Sequence, residues 1–69
     1  MIIVDGKKIE RLREEKGLSQ QDLGKKIGGV AINSISSYER GIKIPSATIL
    51  AAIALELGVD QSELCYEVD

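Results

Sequence analysis

The chain has 69 residues, of which 43% are hydrophobic and only two are aromatic, so we expect one domain with an aliphatic core. With no histidine and one cysteine, it offers neither an intramolecular disulfide nor a zinc-ligand set, and we expect no metal or other cofactor. No apolar run reaches the roughly 18 residues of a membrane span, and the N-terminal MIIV is too short for a signal peptide, so we expect a cytoplasmic protein.

The formal net charge of −2 argues at first against a nucleic-acid partner, but the charge is unevenly distributed. Residues 1–43 contain all nine basic side chains and six acidic ones, a net charge of +3. Residues 44–69 contain five acidic side chains and no basic one, a net charge of −5. A charged ligand responds to the local electrostatic field more than to the net charge. The N-terminal part of the chain therefore remains a candidate for binding nucleic acid.

Capping residues and hydrophobic spacing predict an all-α fold, a compact five-helix bundle. The first helix begins at Asp5, and Gly17 takes the left-handed position after its end. The second begins at Ser19, with Asp22 three residues later as in a capping box. The five predicted helices cover approximately residues 5–16, 19–27, 31–40, 46–57 and 60–65.

Further capping signals place the last two helices. Ser46 caps the fourth helix and Gly58 ends it, while Asp60 and Glu63 repeat the spacing of a capping box at the fifth. Alternating strand patterns are weak everywhere in the chain. The N-terminal MIIV is then either a disordered start or a short extended arm, whose apolar composition favours burial against a second subunit.

Three segments together resemble the lambda-repressor and Cro-like helix-turn-helix family. They are IERLREEKGLSQQDL at 9–23, SISSYERGIKIPS at 34–46 and LELGVDQSEL at 55–64. The resemblance implies that residues 1–69 form one DNA-binding domain with a central helix-turn-helix. It implies a repressor-like transcriptional regulator that binds double-stranded DNA sequence-specifically as a dimer, with its third helix in the major groove.

The resemblance also assigns roles to residues outside the third helix. Arg13 and Glu39 match a pair that forms an internal salt bridge in many members of the family. Gln20 matches a glutamine that contacts a phosphate and braces the recognition helix, and Ser19 beside it is a further expected phosphate contact. Gly24 matches a position that the family keeps small, because the second and third helices pack closely there.

The third helix has an outward face of small hydrogen-bonding side chains when Ile35 and Glu39 point inward. Asn33 matches the donor and acceptor pattern of adenine, and Ile32 suits contact with a thymine methyl group. Neither Arg nor Lys occurs at 32–37, so we expect A·T-containing half-sites. The expected base contacts are Ile32, Asn33, Ser36 and Ser37, and the expected phosphate contacts on this side are Ser34, Arg40 and Lys43.

The turn before the third helix departs from the family pattern. Gly28, Gly29 and Val30 supply one residue more than is usual there, and Ala31 stands where a Ser or Thr cap is common. Asn33 is therefore either a base contact or the helix cap, and the neighbouring Ile32 is either outward or part of the core.

We expect a homodimer formed through the C-terminal segment, with Leu64, Cys65, Tyr66 and Val68 as its apolar residues. Two rival functions use the same fold: an antitoxin that binds a protein partner, and an interaction module that has lost DNA binding. An enzyme fits poorly, because the chain has no nucleophile–base pair and no metal cluster.

Overall fold

The computed structural model describes residues 1–69 and is mainly helical, with one small antiparallel sheet. The elements in chain order are β1 (Ile2–Val4), α1 (Gly6–Glu15), α2 (Gln20–Lys26), α3 (Ile32–Glu39), α4 (Ala47–Leu57), a 3₁₀ helix (Gln61–Leu64) and β2 (Cys65–Glu67).

The prediction of five α-helices is wrong at the C-terminal end. The helix predicted at 60–65 is a single 3₁₀ turn over Gln61–Leu64, and only four α-helices form. The chain becomes extended at Cys65 (φ −131°, ψ 157°), because residues 65–67 pair with another strand. Strand pairing therefore stops the helix that the capping pattern initiates.

The prediction of an all-α fold is correct for the mainly helical framework but omits a small sheet. β1 pairs antiparallel with β2, with Ile3 opposite Tyr66. Of the two alternatives for MIIV, the extended arm is correct, and its pairing partner is the C-terminal segment of the same chain. Three residues are too few for a visible alternation of polar and apolar side chains, so the sequence carried no strand signal.

The helix ends follow the capping residues closely. The backbone N–H of Lys8 donates to Asp5 Oδ1 at 3.1 Å, and α1 ends in a Schellman motif around Gly17 (φ +71°). Ser19 and Asp22 form the reciprocal capping box of α2, with both hydrogen bonds at 3.0 Å. The backbone N–H of Ser19 lowers the pKa of the Asp22 carboxyl, so this cap is fully ionised at neutral pH.

The core lies between the four α-helices and the 3₁₀ helix. It contains Ile9, Leu23, Ile35, Tyr38, Leu50, Ile53, Ala54, Leu57 and Leu64. The prediction of a purely aliphatic core is wrong at one residue, because the aromatic side chain of Tyr38 is buried at the end of α3. Leu64 is fully buried within its own chain, which removes it from any surface available to a second subunit.

A close backbone approach joins α1 to the end of α3. Gly6 is buried, and a Cβ atom there would collide with the carbonyl oxygens of Tyr38 and Glu39. Only glycine leaves enough room for this contact. The start of α1 is thereby held against the last turn of α3, the helix on which the candidate site is built.

Candidate DNA-binding surface

The third helix divides into a buried face and an open face. Ile35, Tyr38 and Glu39 are buried, with Ile35 fully removed from solvent. The open face carries the predicted base contacts: Ile32 and Asn33 are exposed, and Ser36 and Ser37 are half-buried. All four therefore lie on the accessible side of one helix, as the 100° spacing predicted.

The start of α3 excludes one of the two alternatives for Asn33, the helix cap. The cap residue is Ala31, which makes no side-chain hydrogen bond, and the helix begins at Ile32. Asn33 is the second helical residue and is exposed, so its amide does not cap the helix. Ile32 is 49% exposed and is not a core residue. Both side chains are free to meet a ligand.

The turn between α2 and α3 uses its two glycines in left-handed conformations. Gly28 has φ +106° and Gly29 has φ +89°, values that L side chains rarely adopt. The backbone N–H groups of Gly29 and Val30 both donate to the carbonyl of Gly24 at 2.9 Å. The extra residue is thus absorbed by folding the turn back onto α2.

A buried ion pair fixes α3 against α1. Arg13 Nε lies 2.6 Å from Glu39 Oε2, and Arg13 Nη2 donates to Glu39 Oε1 at 3.2 Å. The side chains are 9% and 1% exposed. The remaining nitrogen, Nη1, donates to the carbonyl of Leu18 at 2.7 Å. The pair expected from the resemblance is thus present, bidentate and fully hydrogen-bonded.

Gln20 extends this pair into α2. Its Nε2 donates to Glu39 Oε1 at 2.9 Å, so a single carboxylate receives donors from α1 and α2. The hydrogen bond from Arg13 to Glu39 raises the pKa of the Arg13 guanidinium, so this side chain remains positively charged. Side-chain contacts with Glu39 therefore set the position of α3 relative to both earlier helices.

The other predicted phosphate contacts surround the open face of α3. Ser19 is exposed at the start of α2, and its oxygen accepts from the Asp22 backbone while its hydroxyl proton is free to donate. Ser34 is half-buried, and Arg40 and Lys43 are exposed just beyond α3. The carbonyl of Ser37 accepts from the backbone N–H of Lys43 at 3.2 Å, which folds the loop against the helix.

Sequence reasoning missed two parts of this arrangement. The carbonyl of Leu18 completes the hydrogen bonding of Arg13, and no residue-type pattern marks a backbone acceptor. Gly6 permits the close contact between α1 and α3, but a glycine after a helix cap is common enough to carry no signal. The contacts of Leu18 and Gly6 are seen only in the folded structure, where the helices pack together.

No three His, Cys, Asp or Glu side chains are grouped as metal ligands would be. None of the helices is long and apolar enough to cross a membrane.

Two short helices joined by a tight turn, with the second presenting a polar open face, define a helix-turn-helix protein. The helix-turn-helix family profile matches residues 9–64, and the chain belongs to this family.

Individual relatives agree with this membership. An uncharacterized HTH-type transcriptional regulator of Sinorhizobium fredii, y4dJ, is 38% identical over 64 residues, which are 93% of this chain and 82% of that protein. SinR, the biofilm master regulator of Bacillus subtilis solved in complex with DNA, is 37% identical with a TM-score of 0.77, over 86% of this chain and 94% of that one. The P22 c2 repressor bound to a synthetic operator is 30% identical with a TM-score of 0.81, over 86% of this chain and 88% of that one.

Proposed function

We propose that the chain is a sequence-specific double-stranded-DNA-binding transcriptional regulator whose 69 residues act as one domain. The observation that carries this proposal is the open face of α3. It presents uncharged hydrogen-bonding side chains, is flanked by Arg40 and Lys43, and is held rigidly by the buried Arg13–Glu39 pair. The two similar structures solved with DNA or an operator support it. The proposed activity is binding without catalysis. The proposed location of this bacterial or phage-encoded protein is the cytoplasm, where the DNA lies.

In this proposal α3 enters the major groove and reads base edges. Asn33 pairs with adenine N6 and N7, and Ile32 packs on a thymine methyl group. Ser36 and Ser37 lie one helical turn further along the same face and exchange hydrogen bonds with neighbouring bases. Without Arg or Lys on this face, the preferred half-site is rich in A·T pairs.

Phosphate contacts fix the register of α3 in the groove. Arg40 and Lys43 provide the charged contacts after the helix, and Ser19 and Ser34 provide hydroxyl donors. Gln20 contributes through its second amide proton, since the first is donated to Glu39. These five residues belong to residues 1–43, the part of the chain that carries the net positive charge.

We further propose that the active form is a homodimer, because one such unit covers too little DNA for useful specificity. The C-terminal segment expected to form it is largely engaged within its own chain. Leu64 is in the core and Cys65 is half-buried in the sheet, while Tyr66 is 47% exposed.

A second candidate function is a protein-interaction module, with an antitoxin as one form of it. The observation favouring it is the net charge of −2, with −5 concentrated in residues 44–69. Such a module needs no affinity for phosphate, whereas a DNA-binding regulator does.

Selection of bound sequences from a pool of random duplex DNA tests these proposals together. We expect enrichment of a two-fold-symmetric site with A·T-containing halves about one helical turn apart, roughly 34 Å. Enrichment of single half-sites would leave the DNA-binding proposal standing and contradict the dimer. Recovery of an unenriched pool would favour the protein-interaction module.

A further inference from the structure

The outer edge of β1 is unpaired and regular. Met1 and Val68 exchange two backbone hydrogen bonds, at 2.9 and 3.0 Å, and the N–H of Asp5 donates to the carbonyl of Leu64 at 2.7 Å. In an antiparallel ladder, hydrogen-bonded residue pairs alternate with pairs that are not hydrogen-bonded to each other. The N–H and C=O groups of the second kind point away from the neighbouring strand. The N–H and C=O groups of Ile2 and Val4 therefore face outward.

An apolar groove of about 270 Å³ runs along this edge. It lies between β1 and the loop 41–44, which connects α3 to α4. Three of its side chains are large, apolar and exposed: Met1 is 81% exposed, Ile2 65% and Ile44 81%. The exposed Lys43 also lines the groove, at the loop side. A free strand edge beside exposed apolar side chains is a template for adding another strand.

The geometry points to a second copy of this chain as the occupant. We infer that β1 pairs antiparallel with β1 of its partner about a two-fold axis at Ile3, which joins the two small sheets into one of four strands. Ile2 of each chain then lies opposite Val4 of the other, and these are the two residues whose backbone groups face outward. The edge is thus self-complementary, as an isologous interface requires.

The surface available also fits a small dimer. Met1, Ile2 and Ile44 together expose an apolar area on the order of 400 Å², which is within the range of the largest patches on monomers. Adding the backbone of the strand edge brings each partner near the roughly 600 Å² of a small specific interface. Because Tyr38 and the loop after α3 line the groove, the proposed interface is close to the C-terminal end of each proposed reading helix.

This inference rests on the dimer proposed above, but it is tested without DNA, so that a failure here leaves the DNA-binding proposal intact. Sedimentation equilibrium is measured for the unmodified chain and for two matched variants, Ile2→Pro and Glu67→Pro. Ile2 and Glu67 are directly opposite each other, so each proline removes an outward N–H from one edge and leaves the inner ladder whole. Circular dichroism confirms that both variants fold.

We expect a mass of twice the monomer for the unmodified chain. Ile2→Pro should weaken dimerisation at least about tenfold, since it removes two interchain hydrogen bonds per dimer, and Glu67→Pro should change it less than about twofold. A larger loss with Glu67→Pro would assign the interface to the β2 edge and overturn the proposal. A monomer at all concentrations would also overturn it and leave a foreign extended segment as the occupant.

A second pair of variants tests the groove. Ile44 and Leu55 are 81% and 83% exposed, but only Ile44 lines the groove. Ile44→Glu should weaken the dimer at least about tenfold by placing a charge in an apolar interface, and Leu55→Glu should leave it unchanged. Equal effects of the two changes would contradict the assigned surface.

The register makes a distance prediction. With strands 4.7–4.9 Å apart and a rise of about 3.4 Å per residue, the two Glu67 Cα atoms of the dimer lie about 16 Å apart. Spin labels on Glu67→Cys, in a chain with Cys65→Ser, should give a dipolar distance in this range. A separation near the 34 Å length of one chain would exclude β1–β1 pairing.

Discussion

At the scale of single residues, one carboxylate organises the candidate site. Glu39 receives hydrogen bonds from Arg13 of α1 and Gln20 of α2, and it is 3% exposed. A buried charge of this kind is tolerated because every one of its partners is in place. The same residue precedes Arg40, so a loss of the ion pair also displaces a proposed phosphate contact.

Removal of the Arg13 charge should be strongly destabilising. We expect Arg13→Met to lower the free energy of unfolding by about 3–5 kcal/mol, because Glu39 is left buried and unpaired. Urea denaturation measures the change. The control is Arg11→Met, whose ion pair with Glu15 is more than 60% exposed on both sides and should contribute less than about 0.5 kcal/mol. Equal losses for the two variants would show that the pair does not hold α3.

The division between base and phosphate contacts makes a second prediction at this scale. Asn33→Ala should weaken binding to the selected site by about 1–3 kcal/mol and leave random duplex unaffected, because a base contact acts on specificity. Arg40→Ala should weaken both alike, since a phosphate contact carries no sequence information. Titrations of both variants against both duplexes give the four affinities. A uniform loss with Asn33→Ala would place α3 outside the groove.

At the scale of elements, the unusual α2–α3 turn and the small residue of α2 meet in space. The resemblance implies a small residue at position 24, and this chain has glycine there. A Cβ atom at Gly24 would collide with the carbonyl oxygen of Val30, the last residue of the longer turn. The extra residue brings the turn backbone onto α2, which explains why even one methyl group is excluded here.

We therefore expect Gly24→Ala to destabilise the fold, although alanine is the better helix former. The collision is with backbone atoms, so the turn must shift. The free energy of unfolding, measured by thermal or urea denaturation, should fall by about 1–3 kcal/mol. Gln21→Ala is a matched control on the exposed side of the same helix and should change stability by less than about 0.5 kcal/mol. A gain in stability with Gly24→Ala would show that the turn adapts without strain.

At the scale of the whole molecule, the charge division reconciles a net charge of −2 with a phosphate partner. All nine basic residues lie in residues 1–43, which contain α1, α2 and α3, whereas α4, the 3₁₀ helix and β2 carry only acidic charge. The molecule measures 34 × 22 × 19 Å, about two to four times the Debye length of about 8 Å at physiological salt. Acidic side chains more than about 8 Å from a bound duplex are therefore largely screened from it.

This charge division predicts a definite salt dependence. With Arg40 and Lys43 each neutralising one phosphate, the logarithm of the binding constant should fall with the logarithm of salt concentration at a slope of about −2 per chain. Arg40→Ala should reduce the magnitude of this slope by about one. Titrations against random duplex over a range of salt give both slopes. A slope near zero would contradict phosphate binding and favour the protein-interaction module.

The sequence by itself determined most of the helical framework and the outward face of α3. Caps such as Ser19 with Asp22, and glycines such as Gly17, act through hydrogen bonds and backbone angles within a few residues. Their effects are therefore local and can be predicted from the sequence. The spacing of Ile35 and Glu39 placed the candidate base contacts for the same reason. The resemblance supplied the Arg13–Glu39 pair, which no local pattern connects across 26 residues.

Only the tertiary structure decided what happens at the two chain ends and in the α2–α3 turn. β1 and β2 are three residues each and are more than 60 positions apart, so neither shows a signal until the other is beside it. The exposure of Ile32 and Asn33 depended on how Gly28 and Gly29 turn the backbone back onto Gly24. Such features arise from long-range packing, in which each segment takes a conformation that its partner stabilises.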